Sequence, residues 1–202
     1  MRIPSIVQAE SFLKEASLLN PGPWIEHSHY TAEAARLIAV HHPELDPDIA
    51  YVLGLLHDIG RREGRSHLRH VVDGYSFLEE MGYVDAAQIC LTHSFPLKEV
   101  DSYFGAKDVS PLQLTLILEK LHEAEYGSYD RLIQLCDSLA LPSGFCLLEK
   151  RMIDVAFRYG TNEHTVSKWK QVVSIKDVFA RELGQSIYTV LPGVMENTFA
   201  EC

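Results

Sequence analysis

Four residues in this chain offer the donor atoms of a metal site: His27, His57, Asp58 and Asp137. Two imidazole lone pairs and two carboxylates form a ligand mixture that suits a divalent transition metal. Local patterning turns all four inward. His27 shares a helical stripe with Trp24, Thr31, Ala34, Ala35 and Ile38. His57 and Asp58 stand side by side near the end of AYVLGLLHDIG, a segment apolar nearly all round that must be buried. Asp137 lies among Leu135, Cys136, Leu139 and Ala140 in RLIQLCDSLAL. A buried Asp requires a charged partner or a metal. Any one of the four, a lone histidine above all, is readily explained as a satisfied core residue. The adjacency of His57 and Asp58 at the end of an apolar helix is not, and a cation that balances carboxylate charge and occupies imidazole lone pairs explains the whole set.

The elements that must position these residues are marked by helix caps. Ser5 with Gln8 reads as a capping box for a helix to about Leu19, ended by Asn20-Pro21-Gly22-Pro23. A second helix runs from Trp24 to about Val40. Asp46-Pro47 starts a third, with Gly60 as its expected stop. Further helices are predicted from Ser66 to Met81 (stopped by Gly82), from Asp85 to about His93, and from Ser110-Pro111 to about Tyr126-Gly127. Others follow over 129–141, 144–159 and 163–183, with a short one over 186–191; residues 95–109 read as loop. β-branched alternation is almost absent, so the expected fold is all-α, a bundle of about 8–10 helices around a central metal site. With no linker or repeat, residues 1–202 read as a single domain. Its core is expected over about 23–141, and 142–202 to complete the bundle or form the face of a homodimer.

Composition narrows the partners. At 47% hydrophobic and 23% charged, the chain is ordinary for a globular protein. The net charge of −10 argues against a nucleic-acid duplex or an anionic membrane as partner. The densest basic spot is Arg61-Arg62, enough for one phosphate group. No apolar run could span a bilayer and no signal peptide is visible, so a cytoplasmic protein is expected. Cys90, Cys136, Cys146 and Cys202 form no CxxC pair, which speaks against a disulfide framework or a zinc-thiolate site.

The ordered set His27 in EHSHYTAEAA, His57-Asp58 in GLLHDIGR and Asp137 in IQLCDSLA resembles the HD-domain metal-dependent phosphohydrolase superfamily over roughly 23–141. The resemblance implies a helical bundle with the metal at its centre. It extends to His70 in HVVDG, with Gly74 one turn on, and His93 in LTHS, similar to the extra ligands of two-metal members. It then implies that His27, His57, Asp58 and Asp137 hold one metal, while Asp58, His70 and His93 hold a second. The expected cofactor is thus one or two divalent transition metals, drawn from manganese, iron, cobalt, nickel and zinc. His29, His41, His42, His67, His122 and His164 fall outside the ligand set, with His67 near enough in sequence to contact substrate.

On this resemblance the expected activity is hydrolysis of a phosphate ester or anhydride, on a nucleotide or small phosphorylated metabolite, by metal-bound hydroxide attacking phosphorus. Asp58 orients the nucleophile, Arg61 clamps the phosphoryl oxygens and Arg62 assists substrate binding. The sequence lacks the Glu-Asp pair of the guanosine tetraphosphate hydrolases and the Gly-Tyr-Pro signature of the cyclic dinucleotide phosphodiesterases. LTHSFP also lacks the Thr-Gly usual in the symmetrical diadenosine tetraphosphate hydrolases, so substrate identity stays open. Two other readings keep the same ligands: a di-iron oxygenase, and a non-catalytic metal or nucleotide sensor.

Overall fold

The computed structural model describes residues 1–200. The chain is 67% helical, with eleven α-helices and one two-stranded hairpin among the described residues. The all-α class expected from the sequence holds. The first seven helices are α1 (Ile6–Leu19), α2 (Trp24–Val40), α3 (Pro47–Leu56), α4 (Arg69–Glu80), α5 (Val84–Thr92), α6 (Pro111–Glu123) and α7 (Ser128–Asp137). The hairpin β1 (Ala140–Leu141) and β2 (Gly144–Phe145) follows, then α8 (Leu148–Tyr159), α9 (Thr165–Leu183), α10 (Ile187–Val190) and α11 (Val194–Phe199). None of these helices is long and apolar enough to cross a membrane.

The caps predicted at Ser5, Asp46 and Ser110 are observed, whereas α4 and α5 start without side-chain caps, after Leu68 and Tyr83 rather than at Ser66 and Asp85. Ser5 and Gln8 exchange both bonds of a capping box, as do Ser110 and Gln113. The Asp46 carboxylate accepts from the Asp48 and Ile49 amides, with Pro47 at the first helical position. One contiguous apolar core runs from Ala9 in α1 to Val194 in α11, and Cys90, Cys136 and Cys146 are buried in the protein as free thiols. Cys202 lies outside the described residues.

Beside shifts of a few residues at helix ends, such as α4 starting at Arg69 and α6 stopping at Glu123, three larger differences from the sequence reading stand out. Residues 129–141 are not one helix: α7 stops at Asp137 and the chain turns into the hairpin, with Ala140 opposite Phe145 and Leu141 opposite Gly144. Pro142 cannot continue a helix, and Gly144 takes φ +141°, a conformation a side chain rarely adopts. Phe145 then packs edge-on against Tyr30 of α2, ring centroids 5.5 Å apart, so α8 begins only at Leu148. Residues 194–199 add a helix that the sequence reading did not contain.

Gly60 is the third difference. Helix α3 has already ended at Leu56, and Gly60 sits inside a 3-10 turn over Ile59–Glu63. A Cβ on it would lie 2.0 Å from the His70 carbonyl oxygen and 2.3 Å from the Gly74 amide. The glycine is demanded by contact with α4, not by helix termination. Gly54 does the same within α3, where a Cβ would meet the Ala32 Cα at 2.6 Å and prevent the close approach of α2 and α3.

Candidate metal centre

The Gly54 and Gly60 contacts bring His27, His57 and His70 to one point. His57 caps the end of α3, and Asp58, at φ −105° and ψ 13°, forms the corner before the 3-10 turn. That is near the sparsely populated bridge region in which active-site residues recur. Helix α5 delivers His93 just past its last residue, and α7 ends on Asp137. His27, His57, Asp58, His70 and His93 are all buried. Two trios place one donor atom each within 4.8 Å of one another: His27, His57, Asp58, and Asp58, His70, His93. Asp58 belongs to both.

The histidine ring orientations are set by the main chain. Nδ1 of His57 lies 2.7 Å from the Gly54 carbonyl, Nδ1 of His93 lies 3.2 Å from the Ile89 carbonyl, and Nδ1 of His70 donates to the His67 carbonyl. A carbonyl only accepts, so each Nδ1 carries the proton and each Nε2 presents a lone pair to the interior. Nε2 of His70 and of His93 face Asp58 Oδ1 at 3.1 and 3.7 Å, and each other at 3.4 Å. Two lone pairs so close repel unless a cation lies between them. His57 Nε2 and Asp58 Oδ1 have no hydrogen-bond partner although buried. Buried, unpartnered and convergent donors fit a divalent ion better than they fit one another.

Charge is distributed to match. Burying Asp58 opposes ionisation, but the Arg61 guanidinium, with His70 and His57, holds its carboxyl well below the usual carboxylate range. Burial, reinforced by the facing His57 imidazole, pulls His93 down to about 3 and keeps it neutral. Burial also lowers His27, against the pull of Asp137. Asp137 accepts a hydrogen bond from His27 Nε2 at 2.9 Å and lies 3.6 Å from Arg151 Nη2. These contacts outweigh its own desolvation and hold it well below the usual range. Asp137 thus approaches the first trio through His27.

The centre opens into a cavity of about 740 Å³. Arg61 lines it, tied through Nε to Asp58 Oδ2 at 2.6 Å and through Nη1 to the Ser66 carbonyl at 3.3 Å. Arg62 is not brought to the cavity. Its guanidinium lies over the Phe77 ring, 4.1 Å from the centroid, and pairs with Glu15 at 2.9 Å. Adjacent residues of a tight 3-10 turn point about 120° apart, which sends the two arginines to different sides. His67 is likewise outside the cavity lining, edge-on to Tyr159. His42 is buried on Phe179 and pairs with Glu182, a core histidine.

The sequence reading missed the opposite wall. Arg151, Asp154, Arg158 and Tyr159 of α8 line the cavity, and Arg65 does so from the loop after the 3-10 turn. The i, i+3, i+7 spacing of Arg151, Asp154 and Arg158 was a legible signal, because it puts all three on one helix face.

Compared with known proteins, the chain matches the HD domain family model over residues 24–141. No curated protein and no solved structure matches it.

Proposed function

Since the chain belongs to the HD domain family, which lies in the metal-dependent phosphohydrolase superfamily, we propose that it hydrolyses a small phosphate ester or anhydride, a nucleotide or phosphorylated metabolite. The observation that carries this reading is the junction of two histidine pairs on one carboxylate, Asp58, at the floor of a cavity walled by Arg61, Arg65, Arg151 and Arg158. An arginine-lined pocket selects a substrate with concentrated negative charge.

His27, His57, Asp58 and Asp137 would hold one divalent ion, and Asp58, His70 and His93 a second. When bound, such ions supply an acidified water and neutralise charge on the phosphoryl oxygens. The remaining work falls to the chain's own side chains. Arg61 holds Asp58 in orientation through Nε and the 64–66 loop through Nη1, which leaves Nη2 for a phosphoryl oxygen. The carbonyl anchors on His57, His70 and His93 keep the three rings from turning as charge in the site changes.

The test is phosphate release from a panel of small phosphate esters and anhydrides by protein loaded with manganese or zinc, without dioxygen. Turnover should persist there, and Asp58→Ala should lose both its metal and its turnover. Turnover that demands iron and dioxygen would put an oxygenase in place of the hydrolase. Wild-type metal content in Asp58→Ala would remove the centre itself.

A further inference from the structure

The arginine-lined cavity does not end at the metal centre. Past His93 it continues into a smaller pocket of about 130 Å³ between the end of α7, α8, α9 and the 94–104 loop. The two share His93, Asp137 and Arg151, so a molecule seated on the metals reaches both. Tyr103, Phe104, Trp169 and Met152 give this annex aromatic and thioether walls. Lys168 also lines it. The ammonium donates to the Ser94 carbonyl at 3.0 Å and the Ser102 carbonyl at 3.2 Å, and lies 4.8 Å from the Phe104 ring centroid. An ammonium has three N–H donors, and these bonds use two. Burial lowers the Lys168 pKa to about 8, a sign of how little water reaches it.

The walls and the lysine restrict the occupant. A sugar or glycerol would press hydroxyls against Trp169, Met152 and Phe104, and the polar groups that share the lining are already engaged: Gln134 with Arg131 and the Thr92 carbonyl, Ser138 with the Gln134 carbonyl, and Arg151 with Asp137. An aliphatic chain would satisfy the walls and leave the third Lys168 N–H unpaired. A flat ring with acceptors on its edge answers both demands: its face suits aromatic walls and its edge receives the ammonium. Resting on the hydrolase reading for the phosphate end, we propose that the annex seats the organic portion of the substrate, that this portion is a nucleobase, and that Lys168 is the residue that selects it.

The experiment separates this from the hydrolase reading by using ligands without phosphate. The chain has two tryptophans, so Trp24→Phe leaves Trp169 as its only one. Metal-free Trp24→Phe protein is titrated with thymidine, adenosine and, as control, ribose. Saturable quenching of Trp169 by a nucleoside and none by ribose is expected. Adding Lys168→Met should weaken nucleoside binding at least tenfold. Lys168 also anchors the 94–104 loop, so Met152→Phe in the same background gives an independent block that fills the annex from α8. It should abolish the quench with an unchanged melting temperature. No quench by either nucleoside, equal quench by ribose, or full binding in Met152→Phe each overturns the proposal. Nucleoside binding with no phosphate release from any ester would retain the annex and remove the hydrolase. Phosphate release without nucleoside binding would do the reverse.

Discussion

Around His57-Asp58 backbone touches backbone, whereas along α8 only Leu148 of twelve residues is buried. Both regions face the same cavity. The first is held by Gly54 against Ala32 and Gly60 against His70, backbone contacts with no room for a methyl group, and by Gly74, where one would press on the Gly60 amide and the Cys90 side chain at 3.0–3.2 Å. The second presents Arg151 and Arg158 from a helix paired chiefly through Asp154 on its own surface. Residues that must converge on an ion within tenths of an ångström are fixed by main chain. On the proposed function, the residues that would meet the substrate are carried on a lightly attached wall. The contrast implies that stability and metal retention belong to one region and substrate preference to the other.

The sharpest attempt to break this contrast is Gly60→Ala. Its Cβ would overlap a carbonyl oxygen at 2.0 Å, and neither backbone can yield alone. The expected loss is about 3 kcal/mol or more of stability, together with metal binding. Gly64→Ala is the control: φ is +110° but nothing lies within 4 Å, so strain of roughly 1 kcal/mol is expected. Equal melting temperatures for the two variants would show that the tight contact carries no stability of its own.

Arg61→Ala should keep both fold and metals and lose on the order of 100-fold in kcat/KM, about 2.7 kcal/mol, as for other removed transition-state donors. Arg61→Lys should recover only a fraction of this, since a single ammonium cannot hold Asp58 and a phosphoryl oxygen in the same fork. Steady-state kinetics on any ester turned over would decide it, and an unimpaired Arg61→Ala would confine Arg61 to orienting Asp58.

Acid should act on the rigid region. In chelated protein the folded His93 has its pKa lowered to about 3, against 6.5 in the free side chain. Between those values the unfolded chain binds more protons, so stability rises with pH and falls on acidification below about 6.5, by up to about 1.4 kcal/mol per pH unit for one group. The lowered His27 acts in the same direction. Asp58 and Asp137, held below the usual carboxylate range, add a loss only at lower pH, as they protonate. Melting of chelated protein should therefore decline from pH 7 to 5. His93→Gln should flatten the slope and Arg158→Ala should leave it alone. A flat wild-type profile would contradict the buried neutral imidazoles.

The smallest effect is expected at α8. Arg158 is half-exposed and its ion pair with Asp154 is a surface pair, so Arg158→Ala should change stability by no more than about 0.5 kcal/mol. It should raise KM about tenfold with kcat nearly unchanged, the mark of binding shared by ground and transition states. A fall in kcat with constant KM would move Arg158 from recognition to chemistry.

What the sequence disclosed follows the same division. His27, His57, Asp58, the α2 boundaries and the start of α3 were legible because local pattern governs them: an apolar stripe, an N-cap, a proline at the first turn. His70 and Gly74 could be read as one unit, since a ligand and a glycine one turn apart imply a close neighbour. The identity of that neighbour could not, and Gly60 therefore looked like a helix stop. Arg61 and Arg62 are equivalent in composition and differ only through the phase of a 3-10 turn. The hairpin over 140–145 was hidden inside two helical patterns, although Pro142 and Gly144 marked the break. The α8 arginines lacked a visible role because the groups they join around the cavity, Asp137 beside Arg151 and Arg61 and Arg65 on the opposite wall, come from other elements of the chain.

Helix α8 lies between the hairpin and Gly160, whose φ of +78° turns the chain without engaging a neighbour. In engineering terms it is a cassette with defined joints. Its outward face already tolerates Phe157 at 86% exposure, and its inward face touches the cavity without underpinning the metal ligands' main-chain anchors. Apart from Leu148 in the core and Arg151 beside Asp137, residues 149–159 can be rewritten as a library while the imidazole cluster stays constant, so new preferences can be selected on an unaltered metal centre.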